Sequence, residues 1–469
     1  MTDELVFSSI RELSRSVYAK QVSPVELTKL FLDRLGTIGP DYNAVVTITE
    51  RRAIQQAGRA EKEIMSGHYR GVLHGIPYGA KDLLATSGGI PTTWGASPFK
   101  NQVFDYDATV IRNLESAGSI LVAKMAMVEL AGGMGYRQPD ASFTGPGISP
   151  WGSNRWSGGS SSGSGSGVGA GLVPFAIGSE TWGSILIPAN NCGVSGLRPT
   201  YGRVSRYGAM ALCWTLDKLG PLCLTADDCG LVLEAIAGPD PNDTTTSNQS
   251  FSYHPSLTLD QRFRLGVLKN ITENAQDSVR NNFDQALKDL ESVATVEEVE
   301  LPNMPYEAII QTILFAEAAS SFDAFIESGR TSELTAPEDR YGPFARSVVL
   351  AKDYLNASRL RGVIAKAAEE LLTKYDALVA PTCPGVAPNI DQQIRGSFRG
   401  PGEDVMGALG NLAGLPAISV PSGFSCKGLP TGIQFMGRAY EENKVIALAR
   451  AYQSLTNWHK DHPPELLKG

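Results

Sequence analysis

The stretch WSGGSSSGSGSGVGAGLVPFAIGSETWGSI, residues 156–185, decides how this chain is read. From Ser157 to Gly171 every residue except Val168 and Ala170 is glycine or serine, a composition ordinarily met in flexible tethers. A tether lies between folded units and is bordered by polar residues. This one runs straight into Leu172-Val173-Pro174-Phe175-Ala176-Ile177, an apolar run of strand type, and then into a second small-residue turn, GSETWGSI at 178–185. Two serine-bearing turns one strand apart can face each other, an arrangement suited to chemistry. The spacing fits neither GxxxxGK[ST] nor a GxGxxG turn placed after a strand, which disfavours a phosphate loop. Composition alone leaves tether, close-packed turn and active-site wall open.

Working outward, Ser23-Pro24-Val25-Glu26 has the form of a capping box with proline at the first helical position. Leu27, Leu30, Phe31 and Leu35 follow at helical spacing. A charged helix is expected over about 50–66, ending at Gly67. Asp107 is placed to cap a helix through Val110, Ile111 and Leu114, and Gly118 to end it, before the buried strand pattern SILVAK at 119–124. Further strands are expected at 172–177, 263–268, 377–381 and 417–421, with helices near 274–291, 306–327 and 347–373. Alternation of this kind implies an α/β protein, a mixed twisted β-sheet covered by helices on both faces. The expected organisation is a single large domain over 1–469, with a helical N-terminal segment to about residue 66 and a long surface loop at about 238–262. That loop, beginning GPDPNDTTTSNQS, is placed to separate a motif-dense earlier half from a sparser later one.

The chain is 469 residues long and 42% hydrophobic, enough for a large core. A net charge of -8 offers no basic field to gather phosphates, so nucleic-acid binding is disfavoured. The opening MTDELVFSSI has no basic region followed by an apolar run, and no stretch near 18 uncharged apolar residues occurs. The expectation is a soluble cytoplasmic protein without membrane contact. The cysteines at 192, 213, 223, 229, 383 and 426 form no CxxC pair and read as reduced thiols. The histidines at 68, 74, 254, 459 and 462 form no HExxH or comparable cluster, so no metal and no cofactor are expected.

The run from Gly158-Gly159-Ser160-Ser161 through GSETWGSI to Gly193-Val194-Ser195-Gly196-Leu197-Arg198-Pro199-Thr200 resembles the defining signature of the amidase signature family. Upstream, Gly75-Ile76-Pro77-Tyr78-Gly79-Ala80-Lys81-Asp82, followed by Thr92-Thr93-Trp94-Gly95, is similar to the family's lysine motif. Downstream, YGRVSRYG (201–208), LDKLGP (216–221), AGPDPND (237–243), YDALVAPTCP (375–384), NLAGLPAISVP (411–421) and GLPTGIQFMG (428–437) resemble further blocks in the same order. The resemblance spans about residues 20–455 and implies one mixed-sheet domain that hydrolyses an amide C–N bond through a Ser-Ser-Lys triad. Carried over position by position, Ser184 is the nucleophile, Ser160 the bridging serine, preceded by a cis peptide, and Lys81 the base. The chemistry agrees: a serine hydroxyl needs a partner to take its proton, and no histidine lies in these motifs. A lysine serves once burial keeps its amine neutral. Backbone N–H groups of the turn Thr181, Trp182 and Gly183 are expected to form the oxyanion hole. Gly132, Gly133 and Met134 resemble the substrate-facing loop, with a plain helix-ending turn as the other reading.

Two departures stand out. Glu180 and Trp182 replace the family's usual aspartate and second glycine, and the Trp182 ring must either fill core or line the acyl pocket. Gly163, Gly165, Gly167 and Gly169 stand where the family tends toward an alanine-rich helix; each costs roughly 1 kcal/mol in a helix interior. That helix is therefore either unusually close-packed or loose. Among family members the segments 201–243 and 411–437 resemble the glutaminase-type A subunit of tRNA-dependent amidotransferases. That protein's Glu-Val-Lys motif is missing from YGPFARSVVLAKDYLNASRLRG (341–362), which keeps Tyr354, Ala357 and Arg361 as stand-alone amidases also do. The favoured expectation is a stand-alone serine hydrolase, monomer or homodimer, acting on small amides and on related carbonyls, namely carbamates and activated esters. The alternatives are the amidotransferase component and a non-catalytic scaffold.

Overall fold

Residues 5–135, 137–256, 262–394 and 404–467 are described in a computed structural model. Its strands are β1 (Val45–Ile48), β2 (Pro77–Lys81), β3 (Ile120–Met125), β4 (Phe175–Glu180), β5 (Ser195–Arg198), β6 (Lys218–Cys223), β7 (Phe263–Leu268), β8 (Ala294–Val299), β9 (Ala377–Pro381), β10 (Ala417–Phe424) and β11 (Pro430–Met436). They form one 11-stranded sheet in the order β1-β3-β2-β4-β6-β5-β10-β11-β9-β7-β8. The sheet is mixed: β3, β2 and β4 run parallel, β4 through β9 alternate antiparallel by way of β6, β5, β10 and β11, and β9, β7 and β8 are again parallel. Every residue of β2, β3, β6, β9 and β11 is buried, so helices and loops cover both faces, as the sequence pattern implied.

Ser23 and Glu26 form the expected capping box on the helix Pro24–Thr37, and Ser9 and Glu12 form another on Ile10–Tyr18. The charged helix is Glu50–Met65. The N-terminal segment is not purely helical, because β1 pairs antiparallel with β3. Asp107 is not a cap. The helix Thr109–Ser116 begins from Ala108, and the Asp107 carboxylate instead takes two bonds from Arg52, at 2.9 and 2.7 Å.

The sheet runs through both halves of the sequence, since β10 and β11 lie between β5 and β9. The expected separating loop is folded back rather than separating anything. Asp240 accepts from Ser205 Oγ at 2.7 Å, and Asp243 accepts from the Arg206 backbone at 2.7 Å. Its positions 257–261 lie outside the described residues. No helix among them is long and apolar enough to cross a membrane.

Candidate active site

The glycine-serine run is a wall, not a tether. Residues Ser162–Gly169 form a helix whose every member is buried. Its glycines are contact surfaces: a Cβ at Gly163 would stand 2.2 Å from the Ala44 carbonyl oxygen, at Gly165 2.8 Å from Pro188 Cβ, at Gly167 2.4 Å from Met125 Cε and at Gly169 2.7 Å from the Cys192 carbonyl oxygen. The close-packed alternative is the observed one. Glycine here trades helix propensity for backbone approach.

Lys81 ends β2, and β2 lies parallel beside β4 with Ala80 opposite Ile177. The motif GIPYGA is therefore largely strand rather than turn, and it delivers the lysine to the carboxyl edge of β4. Lys81 is wholly buried, and its Nζ lies 2.7 Å from Ser160 Oγ, 2.9 Å from Ser161 Oγ and 2.9 Å from Ser179 Oγ. Burial pushes its pKa well below the usual lysine range, against the pull of the Asp217 and Glu180 charges. The neighbouring Asp82 does not hold it charged, being paired with Lys124 at 3.0 Å.

Ser160 follows the cis peptide Gly159–Ser160 and is fully buried. Ser184 sits in the turn between β4 and the helix Leu186–Cys192, only 6% exposed, and its carbonyl accepts from the Ser161 backbone at 3.3 Å. The two serine turns thus meet, as their spacing suggested. Among the described residues no hydrogen bond uses the backbone N–H of Gly183 or Ser184 as donor. Thr181 turns its hydroxyl to Asp217, a buried carboxylate that also accepts from the backbones of Leu212 (2.8 Å) and Cys213 (3.0 Å). Burial raises the Asp217 pKa, and the Thr181 bond opposes that rise.

Both unusual residues of the turn, Glu180 and Trp182, have physical accounts. Glu180 reaches past the turn: its carboxylate accepts from the backbones of Ile185 (2.9 Å) and Leu186 (3.1 Å), from Arg198 (2.9 Å) and from Asn411 (3.2 Å). Burial disfavours its charge, but Arg198 and Lys218 outweigh that and bring its pKa down to about 2. Lys218, wholly buried next to Arg198, is lowered by burial to about 7. Trp182 is half-buried against the core, and its indole N–H donates to Asp404 Oδ2 at 2.6 Å. Asp404 in turn caps the helix Val405–Leu412 through Gly407 N at 3.1 Å.

Two depressions flank the turn. One is lined by Ala131, Ser179, Thr181, Met210, Leu212 and Trp214, the other by Gly183, Leu186, Ile187, Cys383, Pro384 and Asp404. Of the expected substrate loop, Gly132, Gly133 and Met134 line neither. Met134 is fully buried, and a Cβ at Gly133 would press on Phe322 and Leu212, at 2.7 and 2.8 Å. Their neighbour Ala131 does the lining, in a left-handed conformation (φ 55°) shared with Leu130 (φ 50°). Tyr354 and Arg361 support this wall from behind. Tyr354 bonds Glu317 at 2.9 Å, Glu317 accepts from Thr215 N at 2.8 Å, and Arg361 bridges the Leu412 (2.7 Å) and Thr215 (2.9 Å) carbonyls.

Sequence reasoning alone does not single out Ser161, Ser179, Lys124 or Asp404. Ser161 adjoins Ser160, and Ser179 lies within GSETWGSI; nothing local marks the others. Among the described residues no group of three or more His, Cys, Asp or Glu side chains could hold a metal ion. Cys192, Cys213, Cys223, Cys229 and Cys383 are buried and outside any disulfide, while Cys426 is exposed.

Known proteins match this description closely. The sequence profile of the family described as Amidase matches residues 26–446. The A subunit of the glutamyl-tRNA(Gln) amidotransferase of Nitrosomonas europaea is 35% identical over 485 residues, covering 98% of this chain and 99% of its own. Among solved structures, the corresponding protein of Thermotoga maritima superposes with a TM-score of 0.80 at 32% identity, over 97% of this chain and 96% of its own. The peptide amidase of Stenotrophomonas maltophilia superposes with 0.82 at 30%, over 95% and 96%. With its signature segments assembled around one mixed sheet and this match along nearly its whole length, the chain belongs to the amidase signature family of amide-hydrolysing enzymes.

Proposed function

We propose that this protein is a stand-alone amidase that cleaves small amides through an acyl-enzyme on Ser184, with Ser160 as proton relay and Lys81 as base. The observation that carries the reading is the buried Lys81 amine 2.7 Å from Ser160 Oγ, among hydroxyls rather than carboxylates. Neutral Lys81 takes the Ser160 proton while Ser160 takes that of Ser184, whose oxygen attacks the substrate carbonyl. Backbone N–H groups of the turn Thr181, Trp182 and Gly183, with Ser184, hold the oxyanion; losing one such donor costs on the order of 100- to 1000-fold in rate. Lysine returns its proton through Ser160 to the leaving amine, and water entering by the same route hydrolyses the ester.

The largely apolar lining at Ala131, Met210, Leu212 and Trp214 suits aryl or alkyl amides, and the same attack serves carbamates and activated esters. A second reading, the glutaminase-type component of an amidotransferase, is favoured by the 35% identity to such a protein over 98% of the chain. Purified protein offered p-nitroacetanilide, a nitrophenyl carbamate and glutamine separates the two. Turnover of the aryl substrates by the chain alone supports the stand-alone enzyme; ammonia from glutamine only in the presence of partner subunits supports the other. A serine-directed phosphonate should add one adduct, mapping to Ser184 by mass spectrometry. Absence of both turnover and adduct favours a scaffold.

A further inference from the structure

We infer that Ser161 and Ser179 are positioning residues that occupy the two N–H groups of neutral Lys81 and so aim its lone pair at Ser160. The inference rests on the reading of Lys81 as base. Three hydroxyls surround the amine nitrogen, at 2.7 Å (Ser160), 2.9 Å (Ser161) and 2.9 Å (Ser179). An uncharged amine has two hydrogens and one lone pair, so two of the three oxygens accept and one donates.

The direction at Ser161 is fixed by its other bonds. Its hydroxyl donates to the Ser179 carbonyl at 3.2 Å and accepts the Ser179 backbone N–H, also at 3.2 Å. With its one hydrogen spent, Ser161 can only accept from Lys81. That bond uses the first N–H of the amine. Ser160 and Ser179 remain, and the shorter contact is to Ser160, the hydroxyl that must give up its proton in the reaction. Ser179 therefore takes the second N–H. The same geometry also ties the two walls together, because Ser161 lies at the start of the buried glycine-serine helix and Ser179 lies in β4.

Protonation changes the count. An ammonium has three hydrogens and no lone pair, so all three hydroxyls must accept. Removing one acceptor destabilises the charged form and lowers the lysine pKa further, while leaving the neutral amine free to rotate its lone pair away from Ser160. The two effects have opposite signs in a pH profile. Turnover falls, yet the acid limb moves toward lower pH.

The test uses p-nitroacetanilide hydrolysis by full-length Ser179→Ala, Ser161→Ala and Ser179→Cys, the last keeping side-chain bulk with a poorer acceptor. Each should lower kcat about tenfold or more, with little change in KM for Ser161→Ala, and shift the acid limb of kcat/KM down by about one pH unit. Ser179→Thr, which keeps the hydroxyl, should restore both rate and limb. An acid limb unmoved in Ser161→Ala, Ser179→Ala and Ser179→Cys overturns the inference. Ser184→Ala and phosphonate mapping keep the parent reading separate. If Ser184→Ala retains turnover, the triad itself fails; if it is inactive while the limb stays put, only the aiming role fails.

Discussion

Asp82, the residue next to the proposed base, gives its charge to a different lysine: Asp82 Oδ1 lies 3.0 Å from Lys124 Nζ, and both side chains are fully buried. The second oxygen accepts from the Thr93 backbone at 2.9 Å and from the Thr93 hydroxyl. Lys124 also donates to Thr92 Oγ1 at 2.8 Å and to the Leu84 carbonyl at 2.9 Å. Two adjacent residues thus lead separate lives, one held in a salt bridge and the other kept among hydroxyls. Replacing Lys124 by Met strands a buried carboxylate, and should cost about 3 to 5 kcal/mol in urea-denaturation stability. A loss below about 1 kcal/mol would mean that the pair is solvated in solution.

Lys81 governs pH dependence in a direction that can be worked out. Burial lowers its pKa well below 10.5, so over the window between the folded value and about 10.5 the unfolded chain holds a proton that the folded protein lacks. Stability linked to Lys81 therefore rises with pH across that window. Lys81→Met should be inactive, and the wild type should gain stability relative to it as pH rises toward about 10. Wild-type kcat/KM should fall as acid protonates the amine. Parallel stability curves for the two proteins would show that the amine is charged in the folded state.

Glu180 acts on the acid side. Its pKa of about 2 lies below the usual carboxylate value of 4.5, so its contribution is complete above about pH 4.5 and is lost as pH falls toward about 2. Glu180→Gln leaves Arg198 buried beside a neutral group. Thermal melts should show a loss of several kcal/mol at neutral pH, on the order of 3 to 5, and a flatter dependence below about pH 4.5 than the wild type.

Trp182 links the turn carrying Ser184 to the helix Val405–Leu412 through Asp404. Trp182→Phe keeps a ring and removes the indole donor, so it should cost about 1 to 2 kcal/mol, a discounted value for a half-buried bond to a carboxylate. Its kinetic effect should fall on KM for bulky acyl groups more than on kcat for small ones. Equal effects on both would place the ring outside acyl selection.

Gly163→Ala tests the wall. In an exposed helix the change gains about 1 kcal/mol, but here the methyl meets the Ala44 carbonyl oxygen at 2.2 Å and the Ala126 nitrogen at 2.5 Å. Backbone atoms cannot swing aside as a side chain can. The variant should express poorly or melt well below the wild type, and a higher melting temperature would contradict the packing described.

Much of this is legible in the sequence, and the rest is hidden for definable reasons. The runs FRLGVL and ALVAP form β7 and β9 at their expected bounds, because each is a short, mostly apolar run of strand length. PYGAK, SGLR, KLGPLC and PTGIQFM give no comparable signal, although all are strands. Glycine and proline lower strand propensity, yet these central positions need small residues: a Cβ at Gly79 would lie 2.5 Å from Met125 Sδ, and at Gly220 2.1 Å from the Leu197 carbonyl oxygen. The serines at 160 and 184 and the lysine at 81 are visible through their motifs. Asp404 and Lys124 are not, since their importance comes from Trp182 and Asp82, partners remote in the chain.

The buried helix at Ser162–Gly169 also bears on practical handling. Its composition would attract anyone seeking a place to splice in a reporter, permute the termini or nick the chain with a protease. Those manipulations succeed where backbone is accessible and loosely held, and this backbone is neither. The run of sequence that looks easiest to cut is among the places where a cut would do most harm.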